Sequence, residues 1–152
     1  MTIHGIDHIN VVVTDLERSV RFYTELLGFE KTRYARLEGD WIESVVGLKG
    51  VQAEVVYVQP PAGPRIELIR YHAPAGAVLP ETAQANTAGL RHVAFRVDDI
   101  RAVCARLEAA GVDVIGPPTP VPGGVVQHDA GRKSLCYFRD PDGVLLELAE
   151  YA

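Results

Sequence analysis

The chain has 152 residues, 47% apolar and 23% charged, with a formal net charge of −5 at pH 7. That length suits a single domain with a real core, and no apolar run approaches the ~20 residues that a membrane-spanning helix requires. The acidic balance and the lack of any Lys or Arg run argue against nucleic-acid binding, which needs clustered positive charge. Met1 to Asp7 carries neither a basic patch nor a signal-type apolar stretch, so a cytoplasmic protein without a membrane partner is expected.

Residues 6–13 are rich in β-branched side chains and read as a strand. Ile9, Val11 and Val13 share one face, and His8, Asn10 and Val12 the other. A helix follows, with Thr14 or Asp15 as N-cap and capping-box spacing from Thr14 to Glu17. Leu16, Val20, Tyr23 and Leu27 form its apolar stripe, and Gly28 suits the left-handed position that ends it. Strand candidates fall at about 29–35, 51–59 and 65–71, the last introduced by the turn Pro60-Pro61-Ala62-Gly63-Pro64. Residues 72–88 read as a linker.

The pattern then begins again. In residues 90–97, Val93, Phe95 and Val97 oppose His92, Ala94 and Arg96. A second helix, N-capped by Asp98 or Asp99, carries Ile100, Val103 and Leu107 and stops at Gly111. Strands are expected at about 112–115, in part of 125–139, and at 144–150, with Asp140-Pro141-Asp142-Gly143 as the last turn. Residues 116–133, rich in Pro and Gly, read as a long loop and candidate lid. Cys104 and Cys136 lack CxxC spacing and sit in apolar stretches, which suggests buried reduced thiols.

The two halves are copies. Gly5 to Leu16 aligns without gaps on Gly89 to Ile100, and Ile66-Glu67-Leu68 through Tyr71 matches Leu146-Glu147-Leu148 through Tyr151. The expected fold is α+β: one domain, 1–152, of two βαβββ modules (about 1–72 and 89–152, linker about 73–88) related by a pseudo-two-fold axis. His8, Glu67, His92 and Glu147 hold matched positions, and each glutamate lies inside an apolar strand. A carboxylate there is costly unless it is paired or bound to a cation. Two neutral imidazoles and two carboxylates around a divalent ion cancel in charge, so these four are candidate ligands of one metal ion. Asn10, Arg96 and His128 are candidate substrate-binding groups; His4 and His72 read as solvent-facing.

The phrases Ile6-Asp7-His8-Ile9 through Asp15-Leu16, Phe22-Tyr23 with Leu27-Gly28-Phe29, Gly89-Leu90-Arg91-His92-Val93-Ala94-Phe95 and Asp140-Pro141-Asp142-Gly143 with Glu147-Leu148 resemble the vicinal oxygen chelate superfamily. That superfamily includes glyoxalase I, bleomycin resistance proteins and extradiol dioxygenases, and the resemblance covers essentially the whole chain. It implies paired βαβββ modules forming a cupped mixed sheet around a metal. In the glyoxalase I and epimerase branches the ligands come from the first and last strands of each module, by position His8, Glu67, His92 and Glu147. Zinc, nickel, cobalt, manganese or iron would suit such a mixed set.

The implied activity is that of a metal-dependent isomerase or epimerase, or a glyoxalase-type lyase, with Glu147 or Glu67 moving a proton next to a carbonyl of a small hydroxy ketone. No residues match the glutathione-binding set of glyoxalase I, and no basic cluster awaits a CoA phosphate. A polyol, sugar or cyclitol ketone fits those absences. Two alternatives stay open: a non-haem iron ring-cleaving dioxygenase using His8, His92 and Glu147, and a metal-free binding protein for a flat apolar compound. Members commonly pair, so a homodimer or higher homo-oligomer is expected.

Overall fold

A computed structural model describes residues 3–78, 84–122 and 131–152. The chain divides into two compact units, Met1–Val78 and Leu79–Ala152, each built on one four-stranded mixed sheet. The α+β architecture of two βαβββ modules is borne out.

The first module runs β1 (His8–Val12), α1 (Leu16–Arg21), β2 (Glu30–Glu38), α2 (Asp40–Val46), β3 (Gln52–Gln59) and β4 (Arg65–Ala73). Its sheet order is β1-β4-β3-β2, with β1 parallel to β4 and the other pairs antiparallel. Asp15, not Thr14, caps α1: its carboxylate accepts from the Arg18 N–H at 3.0 Å. The helix passes into a π-helical turn, Phe22–Leu26, and ends at Gly28 with φ 76°. This wider turn alters the expected stripe, and Ser19 and Phe22 join Leu16 and Tyr23 as the buried positions.

α1 lies against β3 and β4 on one face of the sheet. The other face carries a second apolar cluster of Ile42, Val51, Ala53, Val55 and Ile69, with Tyr57 and Tyr71 packed against it. Ile42 belongs to α2, a helix absent from the sequence reading. α2 therefore closes one end of that face.

The second module runs β5 (His92–Val97), α3 (Ile100–Ala109), β6 (Thr119–Pro120), β7 (Lys133–Arg139) and β8 (Leu145–Tyr151), in sheet order β5-β8-β7-β6. Asp99 caps α3 by accepting from the Ala102 N–H at 2.9 Å, and Gly111 takes φ 75° beyond its end. α3 lies against β7 and β8, where Leu107, Phe138, Leu146 and Leu148 are at most 1% exposed. Each such side chain contributes about 1.5–3 kcal/mol relative to an exposed one. Residues 112–115 do not form the expected strand. Val114 makes only an isolated bridge to Phe138, and the outer strand is Thr119–Pro120. Among the described residues no α2 counterpart covers this sheet.

Both cysteines are free and buried, as expected. No helix of the described residues is long and apolar enough to cross a membrane.

Candidate metal centre

Alternation along β1 and β5 settles where the histidines point. On β1, Val11 is buried and Ile9 half-buried, while His8, Asn10 and Val12 are exposed. On β5, His92, Ala94 and Arg96 are exposed and Val93, Phe95 and Val97 half-buried. Each histidine stands on the open face of its sheet, the face opposite the helix named α1 or α3.

In the first module, Asn10 is the register partner of Glu67 on β4, and Tyr57 on β3 is the partner on the other side. All three share one face. The Asn10 amide donates to Glu67 Oε2 at 2.7 Å, and the Tyr57 hydroxyl donates to Glu67 Oε1. Burial first, and the Glu67 carboxylate second, push the Tyr57 hydroxyl up to about 12. His8 Nδ1 lies 2.7 Å from Asp7 Oδ1, and Arg65 Nη2 donates to the same oxygen at 2.7 Å. The Arg65 guanidinium, with His8 next, holds the Asp7 carboxyl below its usual range. Arg65 also lies over the Tyr57 ring, 4.6 Å from its centroid.

This frame orients the imidazole. With Nδ1–H donating to Asp7, His8 Nε2 presents its lone pair to Glu67 Oε2 at 3.5 Å. Two acceptors facing each other are unfavourable unless a second ring proton or a cation stands between them. A carboxylate behind a histidine is also the usual outer support of a metal-ligating ring.

The second module repeats the arrangement with fewer supports. Tyr137 is the register partner of Glu147, ten residues upstream of it as Tyr57 is of Glu67. His92 Nε2 lies 3.7 Å from Glu147 Oε2, and its Nδ1 is 3.4 Å from the Tyr137 hydroxyl. Burial, then Glu147, raises the Tyr137 hydroxyl above the usual tyrosine value. Where the first module has Asn10, the second has Ala94, which offers no donor. Where it has Asp7, the second has Arg91, whose Nε donates to the Leu90 carbonyl. The Glu147 side chain is 8% exposed, against 15% for Glu67.

These donors fit a divalent ion. Ligands each ~2.1 Å from one ion stand ~3.0–3.5 Å apart, close to the 3.5 and 3.7 Å of the two His–Glu pairs. Nitrogen with carboxylate oxygen is a set that first-row divalent metals accept. Among the described residues no group of three or more His, Cys, Asp or Glu side chains gathers as a complete metal-holding cluster.

Each pair within a module is thus brought together. Asn10, expected as a substrate group, donates to Glu67 Oε2. Arg96 lies over the Tyr151 ring. His128 lies outside the described residues, as does the centre of the candidate lid. His72 is exposed but bonds Glu54 Oε2 at 2.8 Å, and His4 is exposed. Sequence reading missed Tyr57 and Tyr137, although the Tyr-to-Glu spacing of ten in both halves was there to find. It also missed Asp7 and Arg65 as supports, for which no local signal exists.

A family description, Glyoxalase/Bleomycin resistance protein/Dioxygenase superfamily, matches residues 5–148. The chain belongs to this superfamily. It is 31% identical over 150 residues to a probable lactoylglutathione lyase of Vibrio cholerae, covering 99% of this chain and 93% of that protein. It is 30% identical over 149 residues to a 2-epi-5-epi-valiolone epimerase of an Actinomyces species, covering 95% and 78%. A crystal structure of a glyoxalase family protein from Bacillus cereus superposes with a TM-score of 0.83 at 31% identity, covering 99% of this chain and 96% of that one.

Proposed function

We propose that His8, Glu67, His92 and Glu147 together hold one divalent metal ion, and that the chain is a metal-dependent isomerase or epimerase acting on a small hydroxy ketone. The observation that carries this is the duplicated pair: in each module a histidine Nε2 faces a glutamate oxygen, at 3.5 and 3.7 Å, on the open face of the sheet. Relatives named for a lyase and an epimerase support proton-transfer chemistry. A bound divalent ion supplies Lewis-acid polarisation of a carbonyl, which acidifies the neighbouring C–H.

The chain's own groups divide the remaining work. Glu67 is fixed by the Tyr57 hydroxyl and the Asn10 amide, so it serves as a positioned ligand. Glu147 lacks the amide, because Ala94 stands in that place, and its carboxylate is the freer to swing. It takes the proton from the carbon beside the carbonyl and returns it to the same or a neighbouring carbon. Asp7 and Arg65 keep the His8 ring turned towards Glu67.

The test is metal content on protein purified without a chelator or histidine tag, followed by solvent deuterium exchange into α-hydroxy ketones. One ion per chain, lost in His8→Ala and in His92→Ala, with exchange abolished by Glu147→Gln, is the expected result. Absence of any bound divalent metal, or full exchange in both Glu147→Gln and Glu67→Gln, refutes the proposal.

A further inference from the structure

The open face of the second sheet continues past His92 and Glu147. Strand alternation places Arg96 with His92 on β5, Tyr151 with Glu147 on β8, and Lys133 with Tyr137 on β7. Lys133 and Tyr151 are register partners. The Arg96 guanidinium lies 5.2 Å from the Tyr151 ring centroid and the Lys133 ammonium 5.3 Å from it. Two cations from the two neighbours of β8 converge on one ring, and among the described residues neither has a carboxylate in ion-pair range.

The repeat supplies an internal comparison. The first-module positions that match Arg96, Lys133 and Tyr151 are Val12, Ala53 and Tyr71. There Ala53 is buried in the cluster that α2 closes, with Tyr71 packed against it. In the second module the same end of the sheet face carries Arg96 and Lys133, two positive charges. Among the described residues neither cation is answered by a carboxylate, so each leaves its charge to solvent or to an anion. The Tyr151 ring that both approach offers partial compensation only.

We infer that Arg96 and Lys133, set about the Tyr151 ring, form an anion subsite for a phosphate or carboxylate group of the substrate. This rests on the reading of the His92–Glu147 face as the reacting end. Glu147 and Tyr151 are four residues apart on one strand, ~13 Å between α-carbons. The substrate is thus a hydroxy ketone with an anionic group several bonds from the carbon that exchanges its proton. Ala149, between the two ends, is a small side chain on the same face of β8. Arg96 brings a planar fork suited to two oxygens of such a group, and Lys133 a point charge. The absence of any basic run in the sequence concealed this pair, because 37 residues separate its members.

The test is calorimetric titration of the purified protein with inorganic phosphate and, separately, with succinate, in wild type, Arg96→Gln, Lys133→Gln, the double variant, Arg96→Lys and His92→Ala. Saturable binding of either anion, weakened roughly tenfold by each Gln substitution (about 1.4 kcal/mol) and largely kept by Arg96→Lys, is expected. Which anion binds the more tightly distinguishes a phosphoryl from a carboxylate substrate. His92→Ala must retain the binding; its loss there would assign the anion to the metal centre and overturn the subsite. Unchanged binding in the double variant, or none in wild type, overturns it too. Metal content in the same proteins keeps the two proposals apart. Metal without anion binding refutes only the subsite, and anion binding without metal refutes only the metal centre.

Discussion

Replacing Tyr57 by Phe removes one oxygen and leaves the rest of its surroundings in place. The ring keeps its edge-on contact with His8, at 6.1 Å and 89°, and still lies under Arg65 at 4.6 Å. What is lost is the hydroxyl donated to Glu67 Oε1. A hydrogen bond to a charged acceptor contributes about 1.5–3 kcal/mol. Glu67 is 15% exposed, so water partly replaces the lost donor and the lower end applies, about 1.5 kcal/mol. Urea unfolding at pH 7 measures this through the fluorescence of Trp41, the chain's sole tryptophan, which lies in the same module on α2. Combining Tyr57→Phe with Glu67→Gln in a double-mutant cycle isolates the pair, with an expected coupling of about 1 kcal/mol. A Tyr57→Phe protein within about 0.3 kcal/mol of wild type would refute the reasoning, since the hydroxyl would then be bound equally well by water.

Leu107 is fully buried, so Leu107→Ala should cost about 3 kcal/mol, read as a lower urea midpoint by circular dichroism at unchanged slope. Gly111 has φ 75° with open space around an added Cβ, so Gly111→Ala carries backbone strain alone and should cost about 1 kcal/mol in the same assay. Burial pushes the Cys136 thiol up to about 12, so the native protein at pH 8 should resist alkylation there and react once unfolded. Because the folded value is the higher, the stability tied to that proton is complete below the ordinary thiol value of 9.0 and is lost as pH rises from there towards 12. Denaturation midpoints across that range should fall less steeply in Cys136→Ser.

The elements legible in the sequence were those whose signals are local. Alternation about His8 and His92, aspartates at the helix starts and glycines after the ends needed no tertiary information. α2 was not legible because Ile42, Val45 and Val46 make it a poor helix by intrinsic propensity, and Gly39 gives no side-chain cap. Burial of Ile42 in the Val51, Ala53, Val55 and Ile69 cluster holds it instead. The π-helical turn escaped for a related reason: a stripe drawn at 3.6 residues cannot anticipate a wider turn at Phe22–Leu26. The His–Glu pairs were visible through duplication, whereas the Asp7–Arg65 contact depends on a parallel register 58 residues apart.

In each module the first strand is an edge strand whose hydrogen-bonded neighbour is the last. During synthesis β1 therefore waits unpaired until Arg65–Ala73 is made, and β5 until Leu145–Tyr151 is made, a delay on the order of seconds at ribosomal speed. Through that interval His92–Val97 offers free backbone groups and the apolar side chains of Val93, Phe95 and Val97 to any strand in reach. A nascent chain arrested within β7 would carry a finished first module and an unpaired β5. Such arrested products should be aggregation-prone and depend on chaperones, whereas chains released after β8 should not.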